Sequence, residues 1–181
     1  TPTAQWTATA SGCCVLGRQG DGPYITRVTC GRIMDLGIKD VNNMGAAMAP
    51  AAYDTLAALF RETDTKPEEY DLIVTGDLGE LGHDIVVDFF REDGLDLGER
   101  YTDCGLLLYD REEQDMHAGA SGCGCSAAVL NGYLLGGLRA GRWNKIIFAP
   151  TGALLSPTSS FQGESIPSIC HAVVISAGKE N

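Results

Sequence analysis

Nowhere does the sequence run to about 18 consecutive apolar residues, and residues 1 to 20 lack the basic start and apolar stretch of a secretory signal. We therefore expect the chain as given to be soluble. Positive charge is scarce too: 13 Lys plus Arg face 24 Asp plus Glu, for a net charge of −11. Such a surface repels a phosphate backbone and an anionic bilayer, which argues against nucleic acid and lipid headgroups as partners. The patterns GxGxxG, GxxxxGK(S/T), GxSxG and HExxH are all missing, so nucleotide cofactors, serine hydrolysis and zinc proteolysis have no motif behind them. The cysteines, at 13, 14, 30, 104, 123, 125 and 170, are odd in number and lack extracellular spacing. They read as reduced thiols in a cytosol-like compartment. Cys13 and Cys14 are adjacent, Cys123-Gly124-Cys125 is CxC, and no His stands at ligand spacing, so no metal site is expected.

What is present describes a folded α/β chain. With 181 residues, 44% hydrophobic, the chain is long enough to bury roughly two thirds of its unfolded surface. Residues 12–17 (GCCVLG) and 23–34 (PYITRVTCGRIM) flank the turn signal QGDG and predict a β-hairpin. Met48, Ala51, Ala52, Leu56, Leu59 and Phe60 fall at helical spacing, which predicts a helix over 50–63 with Pro50 in its first turn. DLIVTG at 71–76 reads as a strand covered on both faces, and Ile85, Val86, Phe89 and Phe90 mark one face of a helix over 81–92. Residues 94–121 read as irregular apart from an apolar island at 106–109. A small-residue helix follows from Ser121 to Gly141, then strands at 144–152 and 168–176. Strands alternating with helices argue for one α/β unit with a mixed, largely buried sheet and helices on both faces.

Four glycine-punctuated segments could carry chemistry. Gly76-Asp77-Leu78-Gly79 and the following His83 come after the carboxyl end of a predicted central strand, where open α/β sheets place their ligand crevices. Either Asp77 or His83 points into a cleft, or Asp77 caps the next helix and His83 lies on its surface. Ser121-Gly122-Cys123-Gly124-Cys125-Ser126 opens a helix, where free N–H groups and the helix dipole favour an anion or lower a thiol's pKa. Close packing of small residues is the other reading. Asp35-Leu36-Gly37 with Met44-Gly45, and Gly152-Ala153-Leu154-Leu155-Ser156-Pro157, are further loops of this type. His171, within an apolar strand, reads as a satisfied core histidine.

In order along the chain, DLGIKDVNNMGAAMAPAAYDTL, EEYDLIVTGDLGELG, DCGLLLYDREEQDMHAGASGCGCSA and AGRWNKIIFAPTGALLSPTSSFQGESIPSICHAVV resemble the C-terminal half of the stage V sporulation protein AD family of endospore-forming bacteria. The resemblance runs from about residue 9 to 176, and TGDL, MGAAMAPAA, SGCGCSA and TGALLSPT are its distinctive blocks. It implies a thiolase-like fold of two similar halves, of which residues 1–181 are the C-terminal one as a single domain. The start at Thr1-Pro2-Thr3, without Met, fits a fragment, and an apolar face normally covered by the missing half would then be exposed.

The resemblance further implies binding of dipicolinic acid and its calcium chelate for uptake into the developing spore. It places the protein peripherally on the forespore or spore inner membrane, beside other subunits of the dipicolinate channel, with a homodimer as a further possibility. In thiolase-like enzymes this half supplies a His after one strand and a His or Asn from a later turn. Laid onto this sequence, those positions fall within Gly76–Gly79 and Ser121–Cys125, where Asp77 and the cysteines stand instead. The departure favours a non-catalytic binder without a resident cofactor. An acyl-transfer enzyme using Cys125 or His83, and a membrane-complex scaffold with a vestigial pocket, are the alternatives. Candidate ligand-binding residues are Met44, Asp77, Leu78, His83, Ser121, Cys123, Cys125 and Ser126.

Overall fold

The structure, a computed structural model, describes residues 2–179. Its principal elements are β1 (Trp6–Thr7), β2 (Tyr24–Thr29), α1 (Met44–Thr63), β3 (Leu72–Thr75), α2 (Gly79–Glu92), β4 (Tyr101–Asp103), α3 (Cys104–Leu107) and β5 (Ala120–Ser121). They continue with α4 (Cys123–Val129), which passes through a π turn at Leu130–Leu134 into α5 (Leu135–Arg139), then β6 (Lys145–Ala149), β7 (Thr151–Ala153), α6 (Pro157–Phe161), β8 (Ser168–Cys170) and β9 (Ala172–Ser176).

Because LIVT and KIIFA carry apolar side chains at every position but the last and first, both their faces must be covered, and they form the middle of the sheet. The strand order is β2-β9-β6-β3-β4. β3 runs parallel to β4 and β6, while β9 is antiparallel to β6 and β2, so the sheet is mixed, as expected. Side chains alternate between two cores. Ile73, Ile147 and Val174 meet α1 and α2; Val74, Ile146 and Ile175 meet α4 and α5. Each wholly buried aliphatic chain contributes about 1.5–3 kcal/mol.

α1 starts at Met44 rather than at 50, because the Asn43 side chain accepts from the Ala46 N–H at 3.2 Å and caps the helix early. Pro50 therefore lies inside the helix and not in its first turn. Burial of Ala47, Met48, Ala51 and Ala52 against the sheet holds the turn that Pro50 weakens. α1 and α2 meet at two glycines: a Cβ on Gly82 would stand 2.8 Å from the Gly45 Cα.

Four expectations are corrected. The hairpin does not form: residues 12–17 contain no strand, and β2 pairs with β9 instead. The N-terminal segment is drawn across α4, so close that a Cβ on Gly124 would lie 2.2 Å from the Ala10 carbonyl oxygen and one on Gly12 2.5 Å from that of Ala127. The region 94–121 is less irregular than its composition suggests, since Tyr101–Asp103 forms the edge strand β4, too short to show a period. The strands expected at 144–152 and 168–176 each break, at Pro150 and at His171, and leave the sheet together as the β7–β8 ribbon. His171 is thus exposed rather than in the core, its Nδ1 accepting the Gly31 N–H at 3.1 Å.

Candidate functional site

At the carboxyl end of β3, Gly76 fits because there is no room for a side chain: a Cβ would lie 2.6 Å from the Thr151 nitrogen. The next residue, Asp77, is thereby set between three elements. Its Oδ2 accepts the Gly122 N–H at 2.8 Å and its Oδ1 accepts the Thr151 hydroxyl at 3.3 Å. Gly122 has a φ of +93°, a conformation that suits glycine, and this orients its N–H toward Asp77. Gln5 closes the ring, its amide donating to the carbonyls of Asp77 at 2.8 Å and Ala120 at 2.9 Å.

Beneath this turn lies Asp103, wholly buried at the end of β4. Its Oδ1 accepts the N–H groups of Gly79 at 3.1 Å and Gly105 at 2.9 Å. Its Oδ2 accepts the Thr75 hydroxyl at 2.7 Å and the Leu78 N–H at 3.1 Å. Four donors on one carboxylate fix the starts of α2 and α3 against the sheet. Burial pushes its pKa up while those donors hold it down. Burial likewise lifts Asp77 to about 6, opposed by Gly122 and Thr151 and reinforced by the Asp103 charge.

Between these turns opens a cleft of about 480 Å³, lined by Met44, Met48, Asp77, Ser121, Gly122, Cys123, Ser126 and residues 150–153. Five of the candidate residues (Met44, Asp77, Ser121, Cys123 and Ser126) share this wall. Three do not. Leu78 is buried in the core and reaches the network only through its N–H. Cys125 is wholly buried, and burial drives its thiol up to about 12, so it stays protonated at neutral pH. His83 sits one turn into α2, on the flank away from the cleft. There its ring stacks on Tyr101, 4.6 Å between centroids and 5° from parallel, with Nδ1 3.0 Å from the Asp84 carboxylate.

Gln5, Asp103 and Thr151 escaped sequence reasoning, and Gln5 carries no local signal. Asp103 carries a signal, an Asp one position before a helical Cys-Gly-Leu-Leu run, which is an N-cap pattern. Thr151 carries none, since only the bend of the chain at Pro150 returns it to Asp77. Chemically, the cleft offers one carboxyl, one exposed thiol, serine hydroxyls and two thioethers, with no Lys, Arg or His among the described residues lining it. A larger groove of about 650 Å³ adjoins it across Pro150, walled mainly by aliphatic groups such as Val15, Leu16, Ile25 and Leu135. Its polar lining consists of Cys13, Cys14, Asn131, Arg139 and His171, and it lacks the carboxylate and hydroxyl network that surrounds Asp77.

The family described as stage V sporulation protein AD matches residues 1–176. Stage V sporulation protein AD of Bacillus subtilis (strain 168) is 46% identical over 172 residues, covering 95% of this chain and 51% of the relative. The chain thus spans about half the length of the curated relative it matches. The solved structure of 3-oxoacyl-(acyl-carrier-protein) synthase III from Aquifex aeolicus VF5 is similar over 84% of this chain and 52% of its own, at 11% identity and a TM-score of 0.42, a likeness too distant to build on. Among the described residues no helix is long and apolar enough to cross a membrane.

Proposed function

Because the chain belongs to the stage V sporulation protein AD family, we propose that the Asp77 cleft is part of a binding site for dipicolinic acid and its calcium chelate, serving uptake into the developing spore. The observation that carries this reading is the state of the side chains at the strand ends. Asp77 stands where the thiolase-like pattern would have a histidine, and its carboxyl is engaged by Gly122 and Thr151. At the second position Cys125 is buried and protonated, and His83 lies outside the cleft. Nothing on this wall pairs a nucleophile with a base.

The cleft suits a small flat ligand. Its volume of about 480 Å³ is within the range of ligand pockets, and the Met44 and Met48 thioethers can lie against an aromatic ring. A calcium-neutralised chelate would meet a wall whose one carboxyl is Asp77 with less repulsion than the free dianion. We assign the chain, on the same reading, to the spore inner membrane as a peripheral partner of other channel subunits.

Calorimetric titration with dipicolinate and with its ring isomers tests the assignment. Selective heat from the 2,6-isomer is expected; equal affinity for all isomers, or no binding, defeats it. The exposed thiol of Cys123 in the cleft keeps acyl transfer as a second reading. Incubation with acyl-coenzyme A would then add an acyl mass at Cys123, whereas the binding role leaves the mass unchanged.

A further inference from the structure

The wall assigned to a dicarboxylate carries a carboxyl of its own and no cationic side chain among its described residues. A ligand anion placed there would face an unbalanced charge of its own sign in a partly desolvated setting. We infer that the cleft binds dipicolinate together with one proton, taken from solvent onto Asp77. This deepens the reading above and rests on it.

The hydrogen bonds around Asp77 allow the proton in without rebuilding the site. Oδ2 can go on accepting the Gly122 N–H at 2.8 Å. Oδ1 now accepts the Thr151 hydroxyl at 3.3 Å; once protonated, it donates to that oxygen instead. The Thr151 hydrogen is then released toward the cleft, which Thr151 also lines, and becomes a donor for the ligand carboxylate. One protonation removes a repulsive charge and creates an attractive donor.

The groups facing Asp77 favour it as the acceptor. Asp103, from β4, is pushed up by burial and held down by its four donors, and its negative charge disfavours a second carboxylate beside it. Cys104 of α3 and Cys125 of α4 are buried thiols raised in pKa and neutral. Cys123 stands at the lip of the cleft, and α1 presents the uncharged Met44 and Met48. Gln5 and Thr151 add only neutral dipoles. On α2, Glu80 is paired with Arg111 at 2.8 Å and does not line the cleft. Burial already holds Asp77 near about 6, within reach of protonation at mild pH.

The test is calorimetric titration of the chain with dipicolinate in buffers of differing ionisation enthalpy at about pH 6 and about pH 8, where the ligand itself stays fully ionised. Near pH 8 the wild type should take up close to one proton per ligand, and affinity should be on the order of 50-fold weaker than near pH 6, as follows from a midpoint of about 6. Asp77→Asn mimics the neutral acid, since its Oδ1 can accept from Gly122 and its amide can donate to Thr151. It should bind without proton uptake and equally well at both pH values. The uncharged pyridine-2,6-dicarboxamide should bind wild type with no pH dependence. Wild-type binding without proton uptake overturns the linkage and spares the functional reading, whereas no binding at either pH overturns both. Persisting pH dependence in Asp77→Asn overturns the assignment to Asp77; if that variant fails to fold, the wild-type buffer series decides alone.

Discussion

On the face of the sheet packed by α1 and α2, Ile73, Ile147 and Val174 have no exposure, and paired glycines bring the two helices into backbone contact. On the opposite face α4 and α5 bury Val74, Ile146 and Leu138 but do not reach the outermost strand. There β2 leaves Ile25 and Val28 exposed, with a bulge between Ile25 and Arg27 that turns both toward that side. Val15 is 96% and Leu16 76% exposed beside them, at the rim of the 650 Å³ groove. The two faces use the same aliphatic residue types, so composition does not distinguish them. Coverage does: two crossing helices close one side, and a single interrupted helix closes part of the other.

The largest effect should come from breaking the closed side. Phe90 is wholly buried, edge-on to Tyr53 at 5.1 Å and Phe60 at 5.8 Å between centroids. Phe90→Ala should cost about 3–5 kcal/mol in denaturant unfolding, from lost transfer energy and the cavity left behind. A cost below about 1 kcal/mol would mean that the α1–α2 face is not the stability centre.

That side was also the more legible one. Ile85, Val86, Phe89 and Phe90 announce α2 by their spacing, and LIVT and KIIFA announce doubly covered strands, because burial on a regular element writes a period into the chain. The open side left no such trace. GCCVLG has the composition of a strand, yet where it lies depends on Gly12 packing against α4 and on Gly124 of α4 admitting the Ala10 carbonyl, a long-range fit that no local pattern encodes. The candidate site divides the same way. Asp77 and the Ser121–Ser126 turn could be placed together because strand ends and helix starts meet at one edge of such a sheet. His83 could not be oriented without knowing that α2 begins at Gly79, which turns the ring onto Tyr101. Thr151 depends on a bend at Pro150, where the chain beyond β6 leaves the sheet to pair as β7 with β8.

The cleft, at the junction of the two sides, should respond to pH. Asp77 is raised to about 6 in the folded state, so folding favours its neutral form. The stability this group contributes is fully present below the unfolded carboxylate range, about 4, and is lost as pH climbs through about 6. Asp103, raised by burial as well, acts with the same sign. Asp77→Asn should therefore melt more like wild type near pH 5 but exceed it near pH 8, by about 1–2 kcal/mol after allowing for partial solvation. Parallel thermal melts at the two pH values check this, and an Asn variant less stable than wild type near pH 8 would show that the charged carboxylate is the form the turn requires.

The smallest effect on folding, and the one that sharpens the comparison most, lies at the groove. Val15→Ser with Leu16→Ser removes two side chains that are already in water, so the unfolding free energy of the monomer should move by less than about 0.5 kcal/mol. Association is a different matter, since contiguous exposed apolar surface of this kind favours a second apolar surface over water. Sedimentation velocity across a dilution series should show the wild-type chain self-associating as concentration rises and the double variant shifted toward monomer. A wild-type chain that stays monomeric throughout would mean that residues 13–16 shield the groove well enough by themselves. The unequal coverage of the two faces would then be a matter of shape rather than of unsatisfied surface.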